Sequence, residues 1–264
     1  MMKIRTLYVI PGVLCLWFFV LGLSPIDPIA AVAANATPDL LADDDYSYND
    51  GQDTKGVADP LEPWNRAVFV FNDKLYVWVL NPVKNVYSKA LPRDVRGCIG
   101  NFVNNLTSPV VLINALLQGR FDDAWTVVER FGINTVLGVY GFGDPAASEF
   151  AMAPPSADFG QTLGRYRMGA GIYLYWPLFG PSNVRDTVGR VADYAANPVN
   201  YVGLNSDESL GYSGTAFVNR MSIVPDAYAD TKKYSLDPYV AIRQAYSDYR
   251  NARIRGGGGT KGNQ

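Results

Sequence analysis

The chain has 264 residues, of which 48% are hydrophobic and 18% charged, and its formal net charge is −2. This composition can bury a sizeable core and excludes an intrinsically disordered protein. The sequence contains no histidine. Enzymes that depend on a Ser-His-Asp triad, a Cys-His pair or an H-E-x-x-H zinc site are therefore excluded. We expect no catalytic residues, no metal site and no cofactor.

Residues 1–36 have the pattern of a secretory signal peptide. Two basic residues precede a mostly apolar stretch, and two Ala-x-Ala sequences follow within residues 31–36, as a signal peptidase requires. The alternative is an uncleaved anchor, which Pro11 disfavours because it interrupts the apolar run. Cys15 follows Leu14, where a lipidated cysteine would follow a small residue. We therefore predict cleavage and do not expect Cys15 to be lipidated.

Residues 37–58 are predicted to form a disordered acidic tether. From Thr37 to Glu62 there are eight acidic residues and one lysine, a net charge of −7. Like charges and few apolar residues leave too little burial to offset chain entropy. The 20 basic and 16 acidic residues after Glu62 give the remainder a net charge of +4. A mildly basic body suits an anionic membrane surface but is too weakly charged to indicate nucleic-acid binding.

The next segment, residues 59–234, is predicted to be one helical domain. In residues 64–80 apolar side chains occupy nearly the whole circumference of a predicted helix, a pattern typical of a helix buried in a core or in lipid. Trp64 and Trp78 have one polar edge and favour the membrane interface. We predict that Trp64, Phe69 and Trp78 contact the membrane; the alternative is an ordinary core helix.

Two helices in a tight hairpin are predicted next. Ser108 is placed to cap the first helix, Pro109 to begin it and Gly119 to end it. Asp122 and Asp123 fall in the first turn of the second helix, "FDDAWTVVERFGINTVLG", where they complement the helix dipole. Adjacent positions on a helix point in different directions, which disfavours this pair as catalytic carboxylates.

A glycine-rich apolar segment, "DFGQTLGRYRMGAGIYLYWPLFGPS", covers residues 158–182. Its pattern favours either a short β-hairpin or a tightly bent apolar loop. Exposed apolar loops mark membrane or protein contacts, so we predict that Tyr173, Tyr175 and Trp176 face the membrane.

A further helix, "NVRDTVGRVADY", should follow with Ser182 as its cap. Val184, Val188 and Val191 lie on one side of this helix, and charged residues on another. The last segment, residues 235–264, is predicted to be a C-terminal helix near residues 238–250 followed by a loose tail.

Six ordered motifs carry a resemblance to a known family. The segments "DPLEPWNRAVFVFND", "NFVNNLTSPVVLINALLQGRFDDA", "RFGINTVLGVYGFGD", "DFGQTLG", "YWPLFGPSNVRD" and the later "NP" together resemble the MlaA/VacJ outer-membrane lipoproteins. The resemblance implies a mostly α fold: a membrane-embedded ring of short amphipathic helices with a Gly-rich apolar hairpin or loop. It also implies a location in the periplasmic leaflet of the Gram-negative outer membrane.

The function that this resemblance implies is a non-enzymatic phospholipid conduit. Such a protein removes misplaced phospholipid from the outer leaflet and passes it to a periplasmic lipid-carrier protein, and it associates with trimeric porins. The expected partners are therefore phospholipid, the outer membrane, a trimeric porin and the carrier. The alternatives are a porin-associated scaffold and a periplasmic lipid hydrolase, the latter disfavoured because the folded body contains no Ser-x-x-Lys sequence.

Polar residues within the apolar runs are the candidates for a lipid path. Polar groups in a lipid environment must find internal partners, and the asparagines concerned are Asn65, Asn72, Asn101, Asn104, Asn105, Asn114 and Asn134. The residues that we assign to the lipid path, or to a hinge or wall of the ring, are Asn101, Phe102, Asp158, Arg185 and Asp186.

Overall fold

The computed structural model describes residues 57–202, 206–224 and 227–256. The predicted signal peptide, almost all of the acidic tether and the last residues of the tail lie outside these ranges. The described chain is mostly helical, as predicted. Its helices are α1 (Glu62–Leu75), a π-helical turn (Tyr76–Leu80), α2 (Asn81–Ala90), α3 (Arg93–Leu117), α4 (Phe121–Val136), α5 (Pro145–Ser148), α6 (Phe159–Arg165), α7 (Val184–Ala196), a 3-10 turn (Pro198–Tyr201), α8 (Ser206–Ile223), α9 (Ala227–Tyr234) and α10 (Pro238–Gly256). Among the described residues, no helix combines the length and the apolar character needed to cross a membrane.

Helices α3 and α4 form the predicted hairpin, but α3 begins much earlier than predicted. It starts at Arg93 and continues through Pro109. Ser108 does not cap a helix, because its hydroxyl donates to the Asn104 carbonyl one turn back at 3.0 Å. The predicted end at Gly119 is confirmed: this residue has φ of 69° and continues into a Schellman turn, in which the Arg120 N–H donates to the Ala115 carbonyl at 2.9 Å.

The glycine-rich segment contains an antiparallel hairpin of β1 (Tyr173–Trp176) and β2 (Gly180–Asn183). Two asparagines of α1, seven residues apart and so on one helical face, hold β1 and the turn that follows it. The Asn65 amide donates to the Tyr173 carbonyl at 3.1 Å and accepts from the Tyr175 N–H at 2.8 Å. The Asn72 amide donates to the Trp176 carbonyl at 2.9 Å and accepts from the Leu178 N–H at 2.9 Å. These side chains extend the hydrogen bonding of the hairpin onto a helix.

The predicted membrane contacts of this hairpin are wrong for both tyrosines. Tyr173 and Tyr175 are buried in an aromatic core with Tyr239 and Tyr246 of α10. The predicted contact of Phe69 is also wrong, because its ring lies edge-on to Tyr175, 5.7 Å between centroids, and packs against the same core. Alternation along the strand turns one set of aromatic side chains inward.

The third aromatic residue of β1, Trp176, is only partly exposed. Its indole N–H donates to the Thr187 hydroxyl at 3.0 Å, so this edge of the ring is bound within the fold. Tyr239 of the aromatic core also donates to Asp59, which joins the first described residues to α10.

The fold predicts that Asn65→Leu is strongly destabilising. Asn65 is fully buried, and leucine would leave the Tyr173 carbonyl and the Tyr175 N–H without a partner, at a cost of about 2–4 kcal/mol in the free energy of unfolding. Denaturant unfolding in mild detergent measures this change. Asn85→Leu, at an exposed position of α2, is the control and should stay within about 0.5 kcal/mol of the wild type. Equal values for the two variants would contradict the bridging role.

Candidate functional site

A buried ion-pair network centred on Arg250 of α10 joins this helix to the beginnings of α6 and α7. The Arg250 guanidinium bonds both oxygens of Asp158, at 2.7 and 2.8 Å, and both oxygens of Asp186, at 2.8 and 3.0 Å. Asp158 also caps α6 by accepting from the Gln161 N–H at 2.8 Å. The Tyr246 hydroxyl donates to Asp186 at 2.7 Å. One arginine therefore fixes α10 against the beginnings of α6 and α7.

The cap of α7 lies one residue later than predicted. Ser182 belongs to β2, and the Asn183 side chain accepts from the Asp186 N–H at 2.8 Å. Burial alone would raise the pKa of Asp186, but the positive charges and hydrogen bonds of Arg250 and the charge of Arg185 hold it at about 2. Asp186 is therefore ionised at neutral pH.

The prediction that these charges line an open path is wrong for Arg185 and Asp186. Asp186 is fully buried and Arg185 nearly so, and the two side chains are paired at 3.0 Å. Asp158 is committed to Arg250 in the same way. Buried charges are tolerated only when they are paired and hydrogen-bonded, and this network supplies those partners.

Two glycines allow the network to form. A Cβ atom on Gly189 of α7 would lie 2.4 Å from the backbone nitrogen of Gly160 in α6. A Cβ atom on Gly160 would lie 2.6 Å from an oxygen of Asp186 and 2.7 Å from Nη2 of Arg250. The "DFG" sequence thus combines a capping carboxylate with a glycine at which α7 and Arg250 approach the backbone of α6.

Helix α7 has its charged face inside and its apolar face outside. Arg185, Asp186 and Arg190 are buried, whereas Val184, Val188 and Val191 are 42%, 52% and 51% exposed. An ordinary surface helix of a water-soluble protein has the opposite arrangement. The outward face of α7 is therefore suited to an apolar environment.

Large apolar side chains are exposed on other helices as well. Trp64 and Trp78 are 56% and 72% exposed. Their predicted contact with the membrane requires such exposure. Further exposed apolar residues of α1, the π-helical turn, α2 and α4 are Val70, Phe71, Val77, Val83, Val86, Phe121, Trp125 and Val128. Contiguous surfaces of this kind mark contacts with lipid or with another protein.

A cavity of about 370 Å³ with a mixed polar and apolar lining lies between α3 and α4 and is bordered by α8 and α10. Its polar lining includes Asn101, Asn104, Asn105, Thr107, Ser108, Arg130, Asn134, Asp144, Arg220 and Arg253. Four of the seven asparagines selected from the sequence therefore line one cavity. The other three bond within the fold: Asn65 and Asn72 hold the hairpin, and Asn114 donates to Asp193 at 2.7 Å.

Asp144 organises one wall of this cavity. It accepts from Nη2 of Arg130 at 2.8 and 2.9 Å and from the Asn134 amide at 2.8 Å. Arg130 also donates to the Met152 carbonyl. Arg220 and Arg253 also belong to the lining. The cavity therefore combines polar hydrogen-bonding groups with apolar side chains such as Val111, Val127 and Phe131.

The predicted hinge residues lie at the edge of the cavity. Asn101 lies in its wall and donates to the Phe142 carbonyl at 3.3 Å. The Phe102 ring stacks on Phe142 with 4.6 Å between centroids. Both residues thus tie α3 to the turn that follows α4. Arg130, Asp144, Arg220 and Arg253 of this cavity are not predicted from the sequence. The signal available for Arg130 is a single arginine on the buried face of an amphipathic helix.

The described chain is thus a helical protein with exposed apolar faces and a partly open cavity that many polar side chains line. A family model described as MlaA lipoprotein matches residues 57–253. The chain belongs to this family.

Relatives of known sequence and structure agree. An uncharacterized protein of Rickettsia felis is 34% identical over 86% of this chain and 91% of its own length. The intermembrane phospholipid transport system lipoprotein MlaA of Escherichia coli K12 is 32% identical over 78% of this chain and 82% of its own length. A solved structure concerned with maintenance of bacterial outer membrane lipid asymmetry is 31% identical, with a TM-score of 0.67, and the match covers 75% of this chain and 100% of that one.

The network predicts that Arg250→Met is strongly destabilising at neutral pH. Methionine preserves much of the side-chain volume but removes the ion-pair partner of Asp158 and leaves Asp186 paired with Arg185 alone among the described residues, at a cost of about 3–5 kcal/mol. Asp186 has a lowered pKa in the folded wild type, so its stabilising contribution is lost as pH falls from about 4 towards 2. The difference between variant and wild type should therefore shrink over that pH range.

Unfolding midpoints at pH 7 and at about pH 3 measure this effect. Arg255→Met, an exposed position near the end of the same helix, is the control and should change stability little at either pH. A pH-independent loss in Arg250→Met would show that shape, and not charge pairing, is what Arg250 contributes.

Proposed function

We propose that this protein is a non-enzymatic phospholipid conduit of the Gram-negative outer membrane. It lies in the periplasmic leaflet, takes misplaced phospholipid that originates in the outer leaflet, and passes it to a periplasmic carrier. The observation that carries the proposal is that one chain combines exposed apolar faces with a cavity whose lining has both polar and apolar side chains. A phospholipid has the same two characters, a polar headgroup and apolar chains.

The cavity suits the headgroup. Amides and hydroxyls of α3 provide neutral hydrogen-bonding groups, and Arg253 of α10 adds a guanidinium group to the same lining. Guanidinium groups form strong, directional hydrogen bonds with phosphate oxygens. A volume of about 370 Å³ suits a headgroup rather than a whole lipid, so the acyl chains would stay in apolar surroundings while the headgroup moves.

The exterior suits insertion into one leaflet. The valines of α7 and the tryptophans of α1 and the π-helical turn face outward, where tryptophan favours the headgroup level of a membrane. Amphipathic helices of this kind lie in the interface with an apolar face buried among the lipids. Attachment by such faces is compatible with the finding that no described helix could span a bilayer.

The relatives support the assignment to a transport system. The proteins of Escherichia coli and Shigella flexneri are each named as an intermembrane phospholipid transport system lipoprotein. We extend that role to this chain, with a trimeric porin and a soluble periplasmic lipid carrier as its partners. The exposed apolar surfaces of α1 and α4 leave room for a porin contact beside the lipid contact.

Blocking the cavity should abolish transport without loss of the protein. Ser108→Trp places a large ring in the cavity wall, and we expect cells that depend on this variant to accumulate phospholipid in the outer leaflet to the level of cells that lack the gene. Outer-leaflet phospholipid is measured in intact cells, with immunoblots to confirm equal protein levels.

Val188→Trp is the matched control, because it adds the same side chain to the exposed apolar face of α7. It should restore the wild-type lipid distribution. Normal asymmetry in cells without the gene, or full function of Ser108→Trp, would contradict the conduit and favour a scaffold.

A further inference from the structure

A second, open pocket of about 690 Å³ lies outside the central cavity, where α3, α6 and α10 end. Its lining combines the apolar Leu116, Leu117 and Ile254 with the basic Arg165 and Arg255. A pocket with an apolar wall and a few placed charges is the usual form of a small-ligand site. Nothing in the proposed conduit function so far uses this pocket.

The last turn of α10 separates the pocket from the central cavity. Arg253 lines the cavity, and its neighbours Ile254 and Arg255 line the pocket. Ile254 is seated in a notch at Gly164, where a Cβ atom would lie 2.6 Å from its Cδ1 atom. The side chains of one helical turn thus serve both spaces, and the missing side chain of Gly164 fixes the position of that turn.

The two arginines of the pocket retain hydrogen-bonding capacity. Nε of Arg165 is buried and has no hydrogen-bond partner among the described residues, and Nη1 of Arg165 reaches the Gln118 carbonyl only at 3.4 Å. Nε of Arg255 bonds the Asn251 carbonyl, also at 3.4 Å. The Nε of Arg165 is enclosed by the fold, so a phosphate would bond the remaining guanidinium N–H groups of Arg165 and Arg255.

The surroundings of the arginines favour a ligand that carries another charged group besides the phosphate. Three helices end at this pocket, and the carbonyl ends of helices carry partial negative charge. Arginines in the last turn of a helix ordinarily interact with this negative end. Here the contacts of Arg165 and Arg255 to the Gln118 and Asn251 carbonyls are long, so guanidinium N–H groups remain for a ligand. A purely anionic ligand would be attracted by the arginines but repelled by the helix ends. A ligand with both a phosphate and an ammonium group is complementary to the arginines and to the helix ends.

We propose that this pocket binds the zwitterionic headgroup of a phosphoethanolamine-type phospholipid. Arg165 and Arg255 bind the phosphate, the helix ends face the ammonium group, and Leu116, Leu117 and Ile254 contact the glycerol and the first methylene groups. The inference rests on the proposed function: the pocket is a second station for the same lipid, one helical turn away from the central cavity.

Calorimetric titration of the purified protein with dihexanoyl-phosphatidylethanolamine, below its micellar concentration, tests this site. The titrations are made in the Ser108→Trp background, in which the central cavity is blocked and only the second pocket remains. Arg255→Glu should weaken the remaining binding by about tenfold or more, the scale expected when a charge-assisted phosphate contact is lost and reversed. Lys89→Glu, the same charge change at an exposed position of α2, should leave it unchanged.

A series of ligands distinguishes binding of a lipid headgroup from binding of free phosphate. Dihexanoyl-phosphatidylglycerol and inorganic phosphate should bind more weakly than the ethanolamine lipid. Equal binding of inorganic phosphate would overturn the lipid site in favour of a simple anion site, and insensitivity to Arg255→Glu would overturn the pocket itself. Failure of the proposed conduit function is distinguishable from failure of this site. If the conduit function is wrong, cells with Ser108→Trp clear lipid normally, while Arg255→Glu still weakens binding to the purified protein.

Discussion

The structure depends on one buried arginine placed between two carboxylates. Arg250 comes from the last described helix, whereas Asp158 and Asp186 begin α6 and α7. A buried charge without its partner is costly, so the three helices must be brought together for any of them to be stable there. Because the charges of α7 are used in this way, the valines of the same helix are left to face outward.

This inversion connects the packing to the function. In a water-soluble protein the apolar faces meet in a core, whereas here much of the apolar surface is on the outside and many polar side chains are inside. The polar interior has two forms. In one, around Arg250 and around Asn65, polar groups bond one another and hold the fold. In the other, around Asn104, Ser108 and Arg253, they line an open volume that the proposed lipid headgroup occupies.

Local signals in the sequence predicted the features that depend on neighbouring residues. Gly119 ends α3 because a left-handed residue is needed there, and Asp122 and Asp123 occupy the first turn of α4, so the helical hairpin could be predicted. Glycine density indicated either a β-hairpin or a bent apolar loop, and the structure forms the hairpin. Ser108 was misassigned because α3 extends through Pro109: tertiary packing outweighed the local cap and proline signal.

The features that depend on distant residues were not predictable. Tyr173 and Tyr175 have the composition of a membrane-facing pair, but their partners are tyrosines of α10 far along the chain. Asp186 was selected as a functional charge because nothing near it in sequence reveals Arg250. The cavity was partly anticipated, since several asparagines in apolar runs do line it, yet Arg220 and Arg253 reach it only through the folding of α8 and α10.

Native mass spectrometry after exhaustive detergent exchange tests the central claim most directly, because it counts the phospholipid molecules that stay bound to one chain. The account predicts that the wild-type protein retains phospholipid and that Ser108→Trp retains one molecule fewer per chain, with Val188→Trp equal to the wild type. Equal retention by the wild type and Ser108→Trp, or no retained phospholipid in the wild type, would contradict a lipid-binding cavity.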